Sequence, residues 1–177
     1  MNNPWDRQGM SYQQWVDQAG GLYKFLDTYL IEHSNETVLE LGSGNSTRIF
    51  AARAKRVISL DVVPTAAVQP VCEHNSASTL EQNVTPITGD ILTMDLSPLQ
   101  HECITIIFFD VGNTVEDKWI YSKAYHRLKD AQVLTNQTLL IDNADAAPEF
   151  LQELSTAGYK ITDFIQQAIA TPKRKTA

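Results

Sequence analysis

Five short apolar runs punctuate the chain, and each meets an acidic residue. Val38–Leu41 carries Glu40 within it, Val57–Leu60 runs into Asp61, and Val84–Ile87 leads to Gly89-Asp90. Ile104–Phe109 ends at Asp110, and Thr138–Ile141 ends at Asp142. Runs this short, rich in Val, Ile and Phe, predict strands covered on both faces. Pro86 weakens the third, because proline cannot donate to a ladder. Between the runs the period changes. Ile49 and Ala52, and Phe50 and Ala54, recur at helical spacing, and Pro64 to Ser78 predicts a helix with proline in its first turn. Asp117 to Leu128 predicts another, with Trp119, Ile120, Ala124 and Leu128 inward, and Pro148 to Thr156 a third with Gly158 beyond its end. Leu92 to Glu102 is less regular, while Lys160–Ile165 and Gln167–Thr171 read as two closing strands.

Ahead of these elements, residues 1–10 are polar and contain Pro4 and Gly9, as a loose arm would. Ser11 is placed to cap a short helix bearing Tyr12, Trp15 and Val16, which Gly20-Gly21 interrupts. Leu22 to Ile31 then shows Leu22, Phe25, Leu26, Tyr29 and Leu30 on one stripe. Two readings fit this stripe: core packing, or a lid over a ligand crevice.

Strands alternating with helices build a mostly parallel sheet with right-handed crossovers. The expected fold is α/β: a three-layer, Rossmann-like, doubly wound sheet of about seven strands, with helices on both faces. At 177 residues one domain is expected, with 1–33 as a helical arm or lid and 34–177 as the core. Ligands of such sheets sit at the carboxyl ends of the strands. Glu40, Asp61, Asp90, Asp110 and Asp142 all fall there, so the site suits cationic or hydroxyl-rich groups.

The chemistry centres on Thr37-Val38-Leu39-Glu40-Leu41-Gly42-Ser43-Gly44-Asn45-Ser46-Thr47. Gly42 and Gly44 allow a tight turn and a close ligand approach, and Ser46 or Thr47 can cap the helix that follows. Strand, glycine turn and helix N-terminus expose backbone N–H groups, as a nucleotide site requires. A dinucleotide fingerprint wants a third glycine where Thr47 stands. Glu40 beside the glycines would repel a pyrophosphate but suits a ligand bearing an ammonium and a sulfonium.

Net charge is −7, with 43% hydrophobic residues. The negative balance argues against nucleic acid as a partner. The single basic run, Lys173-Arg174-Lys175, reads as a solvated tail. Cys72 and Cys103 form neither a disulfide framework nor a metal spacing, and no stretch reaches membrane-spanning length. A cytoplasmic protein with no membrane partner is expected. A second copy of the chain, as a homodimer, is one way to complete a pocket that so small a domain leaves open. His33 and His74 suggest surface or capping positions, His101 falls before the fourth strand at the wrong end of the sheet, and His126 lies too far along its helix to reach the crevice, so none suggests catalysis.

The order Glu-x-Gly-x-Gly, then Asp61 and then Gly89-Asp90, resembles class I S-adenosylmethionine (SAM) methyltransferases from about Thr37 to Ile165. The resemblance implies SAM held by Gly42, Ser43, Gly44 and Ser46, with Glu40 near its ammonium. It gives Asp61 to the ribose, Asp90 to the adenine amino group, and Ile91 to an apolar contact. Asp110 would stand at the methyl acceptor. The sequence Asp110-Val111-Gly112-Asn113 does not match the Asn/Asp-Pro-Pro-Tyr/Phe of amino-directed DNA and protein-glutamine methyltransferases, so a small-molecule acceptor is expected.

Asp110 with Asp142-Asn143 is similar to the metal ligands of catechol and caffeoyl-CoA type O-methyltransferases. That likeness implies Mg²⁺ at Asp110, Asp142 and Asn143, lowering the pKa of a substrate hydroxyl. Asn113 stands where those enzymes carry a lysine, and the nearest lysine is Lys118. Without a metal, Asp110 would orient or deprotonate the acceptor. Three alternatives stay open: a nicotinamide-dependent oxidoreductase, an aminopropyltransferase, and a non-catalytic SAM- or nucleoside-binding module.

Overall fold

The apolar runs pair into one seven-stranded sheet in the order β3-β2-β1-β4-β5-β7-β6. Its strands are β1 (Thr37–Leu41), β2 (Arg56–Asp61), β3 (Val84–Thr88), β4 (Ile106–Phe109), β5 (Thr138–Ile141), β6 (Tyr159–Phe164) and β7 (Gln167–Pro172). The first five run parallel, and β7 is antiparallel between β5 and β6. The computed structural model describes residues 11–62, 82–111, 115–164 and 166–173. The expected Pro64–Ser78 helix lies outside them, as do Cys72, His74, Asn113, the first ten residues and the basic run after Lys173.

Five α-helices are described: α1 (Tyr12–Ala19), α2 (Gly21–Glu32), α3 (Asn45–Arg53), α4 (Trp119–Asp130) and α5 (Pro148–Thr156). Ser11 caps α1 through a capping box with Gln14. Gly20 then turns the chain at a φ of 59°, in the left-handed region. None of the described helices is long and apolar enough to cross a membrane.

Strand alternation divides the core into two layers. Leu39, Leu41, Ile58, Leu60, Ile107 and Phe109 face α4 and α5, where Phe109 meets Tyr121 and Phe150 with ring centroids 5.8 and 5.3 Å away. Val38, Val57, Ile106, Phe108 and Leu140 face the other way, against Ile49 and Phe50 of α3 and Trp15, Val16, Leu26 and Leu30 of α1 and α2. The apolar stripe of α2 is therefore core. Buried Asp27 joins these helices, accepting from Tyr12 Oη and Arg53 Nε, each at 2.6 Å.

One inward assignment fails. Trp119 is 53% exposed, with Lys123 Nζ over its ring, and the buried stripe of α4 is Tyr121, Ala124, Tyr125 and Leu128. A 3₁₀ turn over Val115–Lys118 leads into the helix, and the residue it buries is Lys118, not Trp119. Phe150→Ala, which removes a ring from the aromatic cluster, is expected to cost about 3–5 kcal/mol in urea unfolding. Trp119→Ala should stay within about 0.5 kcal/mol of wild type.

Candidate active site

Register explains why acids gather at one edge. Leu41 is level with Leu60 and Phe109, Phe109 with Ile141, and Asp61 with Thr88. The residues that follow, Gly42, Gly89-Asp90, Asp110 and Asp142, therefore leave the sheet in one row beside Asp61. The order reverses between β1 and β4, where ligands of open α/β sheets bind.

Glu40 points elsewhere. Alternation sends it with Val38 to the α3 face, where it has no exposed surface. Its carboxylate accepts from Ser46 Oγ at 2.6 Å, Thr47 Oγ1 at 2.6 Å and Ser59 Oγ, its register partner, at 2.7 Å. Burial pushes the carboxyl up to about 7, the three hydroxyls restrain the rise, and the charge of Asp110 adds to it. Thr47 Oγ1 in turn accepts from the Gly44 N–H at 2.9 Å. Glu40 thus braces the glycine turn from behind, and Ser46, 3% exposed, is turned the same way. The helix begins at Asn45, ahead of both hydroxyl residues, with Gly44 as its cap and Thr47 Oγ1 accepting from the cap's N–H.

The two glycines differ. Gly42 has φ +90°, its N–H donates to Leu60 O at 2.8 Å, and a Cβ there would lie 2.0 Å from the Asp110 carbonyl oxygen. Only glycine allows the turn to pass so close to the end of β4. A Cβ on Gly44 would meet nothing within 4 Å, so space opens beside it. Between them, Ser43 donates through N (2.7 Å) and Oγ (2.8 Å) to Asp61 Oδ2, which ties the turn to β2.

A cleft of about 400 Å³ lies over this row, within the range of small-molecule sites. Gly42, Ser43 and Asp61 line one part of it, Gly89, Asp90 and buried Ile91 another, and Asp110 with Val111 a third. Asp90 is held in its turn by the Leu92 N–H, at 2.9 Å. Asp117 and Ile120 reach the same cleft from the approach to α4 and its first turn.

Asp110 stands beside Asp142 at the far end. Burial, then the Asp142 charge, pushes the Asp110 carboxyl up to about 6, and Lys118 opposes the rise. Asp142 accepts from Asn143 Nδ2 at 2.6 Å and Gln167 Nε2 at 3.0 Å, one on each carboxylate oxygen. From α2, Tyr23 approaches the same end. Burial raises its hydroxyl pKa, a hydrogen bond with Asn45 lowers it, and the charges of Asp110 and Asp142 raise it further.

The structure thus gathers Gly42, Ser43, Asp61, Asp90, Ile91 and Asp110 on one cleft and sets Glu40 and Ser46 behind it. Sequence reasoning missed Thr47 and Ser59 as Glu40 partners, although Ser59 follows from the pairing of β1 with β2. It also missed Tyr23. The described histidines stay out of the cleft lining: His33 Nδ1 lies 2.7 Å from Tyr29 O at the end of α2, and His126 pairs with Glu153 on the surface.

The strand order with antiparallel β7 is that of class I SAM-dependent methyltransferases, and the chain has that fold. A protein of Streptococcus mutans solved with SAH (S-adenosylhomocysteine) is 15% identical, with 86% of this chain and 97% of that chain aligned at TM-score 0.54. A methyltransferase from Geobacter sulfurreducens is 18% identical over 85% of this chain and 78% of its own, at TM-score 0.60. An rRNA methylase from Streptococcus thermophilus is 14% identical over 88% and 98%, at TM-score 0.53. No protein-family model and no curated protein matches the chain. The rRNA methylase overturns the exclusion of nucleic acid as a partner. That exclusion rested on net charge, which sums the whole surface and says nothing of the cleft mouth.

Two expectations follow. Gly42→Ala should lose about 2–5 kcal/mol of stability through backbone strain and the Asp110 clash, whereas Gly44→Ala should lose less than about 1 kcal/mol. Both are read by chemical unfolding. Glu40 has a raised folded-state pKa, so its contribution is fully present below pH 4.5 and is lost as pH rises through about 7. Glu40→Gln can keep the hydroxyl contacts without titrating, so the stability difference between the two proteins should change across that window and flatten outside it.

Proposed function

We propose that the protein is a methyltransferase that moves a methyl group from SAM to a hydroxyl on a small molecule. The observation that carries this reading is the shared cleft, with the glycine turn, Asp61 and Asp90 on one side and Asp110 on the other. The SAH bound to the Streptococcus mutans neighbour supports it. The residues fit SAM: Gly44 leaves open space at a helix N-terminus, and Asp61 and Asp90 are polar partners for a nucleoside. Ser43 and the glycine backbone would hold the methionine end, Asp61 the ribose, Asp90 the adenine amino group, and Ile91 the base face. Bound SAM supplies an electrophilic methyl group on a sulfonium.

Glu40 acts through the turn it braces, not by touching the ligand. Asp110 would receive the acceptor's proton as the hydroxyl attacks, and its raised pKa leaves a base matched to neutral pH. Alignment in the cleft would supply most of the rate gain. Mg²⁺ fits the donor set poorly: both Asp142 oxygens already accept amide N–H groups, and Asn143 turns its nitrogen to that carboxylate. No step is therefore assigned to a metal. The exposed free thiol of Cys103 suits the reducing cytoplasm, where we place the protein.

The test is calorimetric titration with SAH, SAM and NADH. SAH and SAM should bind and NADH should not, and Asp61→Ala and Gly44→Ala should each weaken SAH about ten-fold or more. Binding of NADH alone would overturn the proposal. With radiolabelled SAM, Asp110→Asn should keep SAH affinity yet lose transfer to a panel of hydroxylated small molecules. Label entering RNA but no small molecule would reassign the acceptor.

A further inference from the structure

The side of α2 turned away from its buried stripe is apolar in part. Phe25, Tyr29 and His33 stand one helical turn apart, and their rings stack in a row, with centroids 6.3 Å apart for the first pair and 4.1 Å for the second. Ile31 is 58% exposed on the same helix. A groove of about 400 Å³ runs along this side, lined by Lys24, Phe25, Thr28, Tyr29 and Glu32 of α2 and by Ile169 of β7. Register sets Thr162 of β6 beside Ile169 on the same sheet face. Thr162 is exposed and Ile169 half-buried, so among the described residues the helices of that side leave the last two strands partly bare. Two strands about 4.8 Å apart make a shelf about 10 Å wide, the diameter of one further helix.

The groove carries opposite charges at its two ends. Lys24 and Glu32 are both exposed and lie four residues on either side of Thr28, about 6 Å each way along the axis. Neither makes an ion pair among the described residues. A second α2 laid antiparallel about a twofold axis at Thr28 brings each Lys24 opposite Glu32 of the partner subunit. The patch is then complementary to itself, which is what a twofold contact requires. A parallel pair would set lysine against lysine and glutamate against glutamate. We propose that this face of α2, with Ile169 of β7, is the contact between two copies of the chain, packed as an antiparallel α2 pair centred on Thr28. Phe25, Tyr29, Ile31 and Ile169 supply the apolar area, and the charges set the register, because exposed ion pairs add little affinity. No residue of the groove lines the cleft, so the contact stands apart from the methyl-transfer reading.

The test is sedimentation velocity of the full chain over a concentration series. Wild type should sediment with the mass of two chains. Lys24→Glu and Glu32→Lys each place like charges at both ends of the pair and should raise the dissociation constant about ten-fold or more. Mixed in equal amounts, the two variants should associate as tightly as wild type, because both ends of the mixed pair again join opposite charges. The double variant Lys24→Glu with Glu32→Lys should dimerise like wild type for the same reason. Both positions are exposed, so the circular dichroism of every variant should match wild type. Rescue on mixing separates this contact from any other interface that happens to hold one of the two residues. Wild type that sediments as one chain at every concentration would overturn the proposal and leave the groove to a different partner. A dimer that neither single variant weakens would overturn it too, and so would weakened variants that fail to pair with each other.

Discussion

A carboxylate removed from water must find hydrogen-bond donors or stay protonated, and Glu40 meets that constraint with three hydroxyls from two elements. Ser59 comes from β2, the register partner of β1, while Ser46 and Thr47 come from the first turn of α3. The same acid therefore fixes the spacing of two strands and the angle at which the helix leaves the glycine turn. Thr47 extends the network to the Gly44 N–H, so the backbone facing the cleft is positioned from the protein interior. Removing the acid would leave buried hydroxyls without partners, each costing about 1–3 kcal/mol. The turn itself would then be free to move.

Two classes of acid follow from one sheet. An acid inside a strand has its direction set by alternation, and Glu40 falls on the α3 face. Asp61, Asp90 and Asp110, at or just past strand ends, have left that alternation or sit at its limit, and they border the cleft. Register makes the second class a row, because the parallel strands stop level with one another. Asp61 belongs partly to each class: one oxygen anchors Ser43 through two bonds while the residue lines the cleft. The glycine turn is thus held at Thr47 from inside and at Asp61 from the rim.

Much of this was legible in the sequence because strand signals and their closing acids are local. The ranges of β1, β2 and β5 follow the apolar runs to within a residue, and Asp61, Asp90 and Asp110 reach the cleft as their positions imply. Less legible was what depends on facing. Glu40 beside two glycines reads as a ligand contact, yet its spacing from Val38 already assigns it to the buried side. Trp119 illustrates the reverse problem: apolar spacing alone counted it inward, whereas the 3₁₀ turn before α4 rotates the stripe to Tyr121 and Tyr125. The partner inference failed for a further reason, since a chain's total charge is not the potential at one cleft.

The Asp110 end of the cleft shows how the fold supplies charge balance that no short motif records. Burial, and after it the charge of Asp142 on the neighbouring strand end, pushes the Asp110 carboxyl up to about 6. Lys118 lies eight positions past Asp110, beyond the three-residue spacing that the O-methyltransferase likeness leads one to inspect. The chain closes the gap with a 3₁₀ turn, and Tyr121 completes the link to β5. The ammonium restrains the rise in the Asp110 pKa without abolishing it. The result is a carboxyl held above the usual carboxylate range by burial and Asp142 and restrained by Lys118, from a loop and a helix start that come together only in three dimensions.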